Sequence, residues 1–121
     1  MSVDFRRIDP WPEKLEIPDV QQHKGTLIRQ AEAARQEGYE SLARTAFRGA
    51  LYWERWLLSK EPGRHEEARL VSSLELSREA GDWKEADLVL AHVDASPVLR
   101  ELPFVEHWRE LVKENLPEQV K

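Results

Sequence analysis

The side chains of this sequence that could do chemistry are four histidines and many carboxylates, which in suitable pairs bind metal ions or transfer protons. The histidines are His23, His65, His92 and His107. No two of them stand four residues apart, the spacing that places both imidazoles on one face of a helix. His65-Glu66-Glu67 and His92-Val93-Asp94 put acids beside imidazoles, but neighbouring residues on a helix point in different directions. We therefore predict no metal site.

Composition argues against several other kinds of site. The sequence has no cysteine, so it can form neither a thiolate metal site nor a disulfide, and the lack of cysteine favours a cytoplasmic location over secretion. It contains no glycine-rich phosphate loop, GxSxG motif or dinucleotide-binding fingerprint. Because no run of about 18 uncharged residues occurs, no membrane span is expected. We predict a protein that has no cofactor and is not an enzyme.

Aromatic residues cluster late in the second predicted helix, where they could bind another protein. Trp53 and Trp56 are three residues apart, and Tyr52 and Trp56 are four apart, so they lie near one another on a helix. Tryptophan and tyrosine are frequent anchors of protein interfaces. We take Trp11, Tyr52, Trp53 and Trp56 as candidate protein-binding residues. The alternative is that the N-terminal segment of the same chain covers the cluster through Trp11.

Three arginines, Arg44, Arg48 and Arg55, lie near one face of the same predicted helix. Their guanidinium groups could bind carboxylates or phosphates of a partner, and the alternative is that they pair with glutamates of their own chain. The net charge is −5, yet residues 20–60 carry +3 and residues 61–121 carry −6. The negative total argues against general nucleic-acid binding, and the uneven distribution is compatible with self-association.

The elements that must position these side chains are predicted to be about five α-helices, with no strand. Apolar residues recur three and four residues apart in runs that glycine or proline separates, and no stretch alternates with the two-residue period of a strand. The predicted helices cover residues 18–38, 40–60, 64–81 and 83–96, and a last one runs from 97 or 103 to 116. We predict an all-α fold in which the helices stack as antiparallel hairpins.

The first 18 residues are predicted to form an extended N-terminal arm. Its prolines, Pro10, Pro12 and Pro18, disfavour helix. A solvated tail seldom carries as many apolar residues as this arm does, so we expect it to dock, on its own chain in the preferred interpretation and on another protein in the alternative. The predicted organisation is an arm over residues 1–18, one domain over 19–116 and a tail over 117–121. The apolar residues of the arm are Phe5, Ile8, Trp11, Leu15 and Ile17.

Two helix junctions, 43 residues apart, share a pattern. Gly38 and Gly81 each end a helix and precede an aromatic residue, Tyr39 and Trp83, and an alanine follows five residues after each glycine. Glycine permits a left-handed helix cap. The aromatic ring would fill the corner between two helices, and the alanine would let the second helix approach the first. Each junction therefore predicts a helical hairpin.

On these residues the chain resembles the tetratricopeptide repeat family, over about 70 residues in two units. The departures are Leu74, which stands where the family has a small residue, and the 43-residue offset, which exceeds the repeat of about 34 residues. The resemblance implies hairpins stacked side by side. In the second unit Ala86 matches, and Pro97 falls close to the terminal proline. The residues that match in the first unit are Leu27, Ala31, Ala34, Ala43, Phe47 and Ala50.

These patterns predict a protein-interaction module: a helical adaptor, assembly chaperone or accessory subunit that binds another protein or itself. The alternative is a small helical subunit of a nucleoprotein complex, with Arg44, Arg48 and Arg55 on the nucleic-acid backbone. A third interpretation, an enzyme whose catalytic residues are distant in sequence, has no motif in its favour.

Overall fold

Five α-helices follow one another in the computed structural model of the chain, which describes Phe5 and residues 15–116. They are α1 (Ile17–Gln36), α2 (Glu40–Lys60), α3 (Glu66–Glu79), α4 (Trp83–Asp94) and α5 (Phe104–Asn115), with a short 3₁₀ helix (Leu99–Glu101) before α5. No strand occurs within these described residues. The predicted all-α fold is therefore confirmed.

Local sequence signals account for the helix ends. Pro18 lies in the first turn of α1, where its missing N–H costs no hydrogen bond. Gly38 and Gly81 have φ angles of 87° and 69°, so both glycines adopt the left-handed conformation predicted for them after α1 and α3. The Asp82 side chain caps α4 by accepting a hydrogen bond from the backbone N–H of Glu85 at 3.2 Å.

The corner residues of the two junctions behave differently. Trp83 is half-buried and packs on a core cluster, as predicted. Tyr39, however, is 59% exposed, so the prediction that it fills the first corner is wrong. Near this junction the contact between α1 and α2 is formed instead by small residues, and Ala31 and Ala43 are both fully buried there.

The helices pack mainly on their neighbours in sequence, α1 on α2, α2 on α3, α3 on α4 and α4 on α5. Short turns join α1 to α2 and α3 to α4, so each of these pairs forms an antiparallel hairpin. Close approach is visible at Gly49, where a Cβ atom would lie 3.1 Å from Leu27 of α1. A side chain at this position would therefore press on Leu27, so glycine lets α2 lie close against α1.

Buried apolar residues form three clusters along the stack. One cluster lies between α1, α2 and α3 around Phe47 and Leu76, and a small one joins Val20 at the start of α1 to Trp56 and Leu57 of α2. The largest cluster lies among the later helices and includes Phe5. The chain is thus held together by a series of local cores, as expected when each helix contacts chiefly its neighbours.

The predicted domain limits fall partly outside the described residues. α1 begins at Ile17, two residues before the predicted boundary between arm and domain. The tail predicted over residues 117–121, and the arm apart from Phe5 and residues 15–18, lie outside the residues that the structure describes.

Candidate functional site

The predicted aromatic set does not form one exposed surface. Trp56 is 1% exposed and belongs to the small cluster of Val20 and Leu57, so its ring is part of the core. Tyr52 and Trp53 are half-buried. Trp11 lies outside the described residues. Of the four candidates, Tyr52 and Trp53 are the ones that the structure shows at the surface.

Trp53 packs mainly against its own chain. Its ring lies 6.0 Å from the His23 ring of α1, and the Tyr52 ring stands edge-on to it at 4.9 Å. Leu15 and Ile17 pack on the same cluster of partly buried side chains. Trp53 thus covers the junction between the start of α1 and the end of α2, which leaves part of the ring for contact with a partner.

Phe5 shows that the arm docks on its own chain at this residue. Its side chain is 1% exposed and belongs to the largest core cluster. The ring stands edge-on to the His92 ring at 5.0 Å, and the Arg55 guanidinium lies 6.0 Å from the ring centre. The preferred interpretation of the arm is therefore confirmed at Phe5.

Each of the three candidate arginines faces an acid of the same chain. Arg44 Nε donates to Glu40 at 2.9 Å, and Arg48 Nε lies 3.8 Å from Asp82 of the second hairpin. Arg55 forms an ion pair with a glutamate of α4, Glu85. This outcome is the alternative that the sequence left open, pairing within the chain. The three guanidinium groups do not form an unbalanced positive face among the described residues.

Arg55 is the least accessible of the three. Its side chain is 13% exposed, and burial lowers the pKa of its guanidinium because removal from water disfavours the charged form. It lies between the Phe5 ring and the Glu85 carboxylate. Arg55 therefore joins α2 to α4 and the arm, and it is poorly placed to contact a phosphate.

A groove between α1 and α3 is the best candidate for a binding site. It has a volume of about 650 Å³, within the range of protein pockets that accept ligands or side chains. Its apolar lining comes from Ile28, Phe47 and Leu76, one residue from each of the first three helices. Ile28 is half-buried, whereas Phe47 and Leu76 belong to the core and expose only 4% and 5% of their surface to the groove. The groove lies on the helices that open the two hairpins.

The rim of this groove is acidic once internal pairs are counted. Arg35, which lines the groove, forms ion pairs with Glu79 and with Glu40, and its guanidinium lies 4.9 Å from the centre of the Phe47 ring. Glu32 and Glu75 also line the groove and are exposed. Among the described residues no ion pair involves either carboxylate. The rim therefore offers two accessible negative charges over an apolar floor.

A second basic residue of the rim is also engaged within the chain. The Arg78 guanidinium lies 5.2 Å from the centre of the Trp108 ring of α5, and its Nε atom lies 3.7 Å from Glu79. Stacking of this kind holds a guanidinium at an aromatic face. Arg78 therefore connects the groove to α5 and leaves the negative character of the rim in place.

Glu40 at the start of α2 provides a test of the ion pairs near the groove. The hydrogen bond from Arg35, reinforced by one from Arg44, lowers the pKa of Glu40 to about 2 from an ordinary value of 4.5. A lowered folded-state pKa stabilises the fold above pH 4.5, and this contribution is lost as the pH falls toward 2. We expect a carboxyl ¹³C titration to show Arg35→Gln raising this pKa more than Arg44→Gln. Equal effects of the two variants would contradict the assigned geometry.

Glu54 is a fully buried charge that the sequence analysis missed. Lys24 Nζ of α1 lies 2.7 Å from Oε1 of this carboxylate, and Arg69 Nη1 of α3 lies 3.1 Å from Oε2. One carboxylate thus links three helices. A signal was present, because Glu54 follows Ala50 by four residues and precedes Leu57 by three, which places it on the apolar stripe of α2.

Comparison with family models, with curated proteins and with solved structures found no match to this chain. In the described part of the chain, no three histidine or acidic residues are grouped closely enough to hold a metal ion. Nor does any helix described here have both the length and the apolar composition needed to cross a bilayer.

Proposed function

We propose that this chain is a non-catalytic protein-interaction module whose groove between α1 and α3 binds a segment of another protein. The observation that carries the proposal is the combination of an apolar floor with two accessible carboxylates on the rim. A segment that places one bulky apolar side chain beside lysine or arginine would match both features. The floor is formed by Ile28, Phe47 and Leu76, and the carboxylates belong to Glu32 and Glu75.

The floor and the rim of the groove would contribute differently to binding, because the floor is apolar and the rim is charged. An apolar side chain on the floor would contribute affinity by covering Ile28 and the exposed edges of Phe47 and Leu76, because removal of apolar area from water favours association. The rim carboxylates would select against acidic segments and speed encounter with basic ones. Exposed charges contribute modest affinity and are screened by salt, so binding should weaken only partly at high ionic strength.

The resemblance to the tetratricopeptide repeat family favours the same groove as the binding site. The proposal includes a stack of two tetratricopeptide-like units, in which α1 and α3 are the first helices of successive hairpins and line one side of the stack. A helical adaptor or accessory subunit of a larger complex, in the cytoplasm, is the role that fits this arrangement. The nucleoprotein alternative loses support because Arg44, Arg48 and Arg55 face acids of their own chain.

The test begins with peptides selected from a random library displayed on phage against the immobilised chain. We expect the selected peptides to contain a bulky apolar residue next to lysine or arginine. Dissociation constants measured by fluorescence polarisation should rise at least tenfold for the Glu32→Lys/Glu75→Lys variant, since reversal of two rim charges costs about 1.4 kcal/mol or more.

The matched control for this experiment reverses two exposed glutamates that do not line the groove. Glu37 follows α1 and Glu101 ends the 3₁₀ helix, and both are exposed. The Glu37→Lys/Glu101→Lys variant makes the same change in net charge, and it should bind the selected peptides like the parent chain. If both variants weakened peptide binding equally, the effect would come from net charge alone, and the groove would be rejected as the binding site.

A further inference from the structure

Among the described helices, α5 packs mainly on α4 and no later helix packs on it. α1 pairs with α2 and α3 pairs with α4, whereas α5 packs mainly on α4 in the described part of the chain. α5 contributes Val105, Trp108 and Val112 to the core. α5 therefore corresponds to the first helix of a third hairpin. No described helix follows it as the second helix of that hairpin.

A groove of about 630 Å³ lies between α4 and α5. Its apolar surface comes chiefly from the exposed Ala91 of α4 and the half-buried Leu116 after α5, because Leu90 and Val112 also line it but are only 4% and 5% exposed. An exposed alanine in the middle of a helix lets another helix approach closely. The size and the lining are those of a seat for one turn or more of an amphipathic helix.

The two edges of the groove carry opposite charges. On α4, Asp87 and Asp94 stand on either side of Ala91 at four and three residues, so all three share one stripe. On α5, Arg109 and Lys113 stand four residues apart on the other edge. One edge is therefore acidic and the other basic. A ligand in the groove should accordingly be basic on the side facing α4 and acidic on the side facing α5.

We infer from the opposite charges of its two edges that this groove binds an amphipathic helix of another protein, which packs against α4 and α5. The helix would carry a short apolar stripe for Ala91 and Leu116, over the exposed edges of Leu90 and Val112. Its flank toward α4 would be basic, and its flank toward α5 would be acidic. This site is separate from the groove between α1 and α3, and it does not depend on the function proposed for that groove.

A second copy of the chain does not match the groove as well. The large apolar residues that are exposed in the described part of the chain are Tyr39, Leu42 and Val98. Tyr39 and Leu42 occupy a single turn at the start of α2, and Val98 precedes the 3₁₀ helix. No described helix therefore presents an exposed apolar stripe long enough to fill the groove of a neighbour, so the occupant must bring its own.

The ion pair that crosses the groove does not prevent binding. Arg109 donates to Asp94 across the two edges, with side chains 42% and 47% exposed. An exposed pair of this kind contributes little to stability, and each partner can exchange it for a charge on the incoming helix. Asp87 and Lys113 are exposed as well, and no ion pair joins them to other described residues.

The test uses three designed helical peptides with one common apolar stripe. The first has lysine on one flank and glutamate on the other, the second has lysine on both flanks, and the third has glutamate on both. Fluorescence anisotropy with the full chain should show the mixed peptide binding at least tenfold more tightly than either uniform peptide. For the Asp87→Lys/Asp94→Lys variant, whose two edges are both basic, the order should change so that the all-glutamate peptide binds best.

Steric variants complete the experiment. Ala91→Trp should block the groove and weaken the mixed peptide at least tenfold, whereas Ala33→Trp, a matched change at an exposed alanine of α1, should leave it unchanged. Circular dichroism melts establish that both variants are folded. The Glu32→Lys/Glu75→Lys variant should bind the mixed peptide normally, so failure at one groove is distinguishable from failure at the other.

Three results would overturn this inference. The first is equal binding of all three peptides, and the second is binding that Ala91→Trp leaves intact. The third is a self-associated form that Ala91→Trp dissociates in sedimentation, because a second copy would then occupy the groove.

Discussion

Replacement of Glu54 by alanine is expected to lower the free energy of unfolding by about 3 kcal/mol, the low end of the range for a broken buried ion pair, because the buried Arg69 loses the nearer of its two counter-charges. Arg69 is 8% exposed and keeps only Glu61 at 3.5 Å, while Lys24 is 21% exposed and has room to turn toward water. The larger part of the loss should therefore come from Arg69. Chemical denaturation followed by circular dichroism measures the change.

A double replacement distinguishes the removal of a whole ion pair from the removal of one member, which leaves the other charge buried. Glu54→Met/Arg69→Met removes both members and fills their volume with apolar atoms, a change that is often neutral or stabilising. We expect this variant to be more stable than Glu54→Ala. As a control, Glu110→Gln removes an exposed carboxylate of α5 and should change stability by less than about 0.5 kcal/mol. A loss below about 1 kcal/mol in Glu54→Ala would contradict the buried network.

Replacement of Trp56 by alanine is expected to cost about 3–5 kcal/mol, the range for large aromatic residues removed from a core. The ring is 1% exposed and packs with Val20 and Leu57 where α1 meets α2. Its indole N–H has no acceptor among the described residues, and the Lys60 ammonium lies 5.6 Å from the ring centre. The loss should therefore come mainly from packing, with a smaller part from this cation–π contact. Thermal or denaturant unfolding of the purified variant measures it.

Two matched variants test this assignment. Trp56→Phe keeps most of the ring volume and breaks no hydrogen bond, so it should cost only about 1–2 kcal/mol. Trp53→Ala removes a half-buried ring and should also cost about 1–2 kcal/mol. Equal losses in Trp53→Ala and Trp56→Ala would show that the two rings are equally buried. Binding assays should vary Trp53, because loss of binding in Trp56→Ala would report instability.

The two grooves differ in the partners that they favour. The groove between α1 and α3 has an apolar floor and an acidic rim, which suits a short basic segment. The groove between α4 and α5 has one acidic and one basic edge, which suits a helix with two differently charged flanks.

The limits of the helices were readable from the sequence because the signals are local. The predicted span of α2 coincides with Glu40–Lys60, and glycines at 38 and 81 take the left-handed conformation expected after a helix. A helix end depends on residues within one turn of it. The all-α class follows from the same short-range periodicity. Ala43 and Ala86, which were predicted to let the second helix of each hairpin approach the first, are both fully buried.

The tertiary structure alone decided which charges and rings face one another. Arg55 meets Glu85, thirty residues away, and Lys24 and Arg69 meet Glu54 from two other helices. Trp53 and Trp56 are three residues apart, yet one lies at the surface and the other in the core. Such partners depend on how far each helix is rotated about its axis and how closely it approaches its neighbour, and no residue spacing along a single helix contains that information.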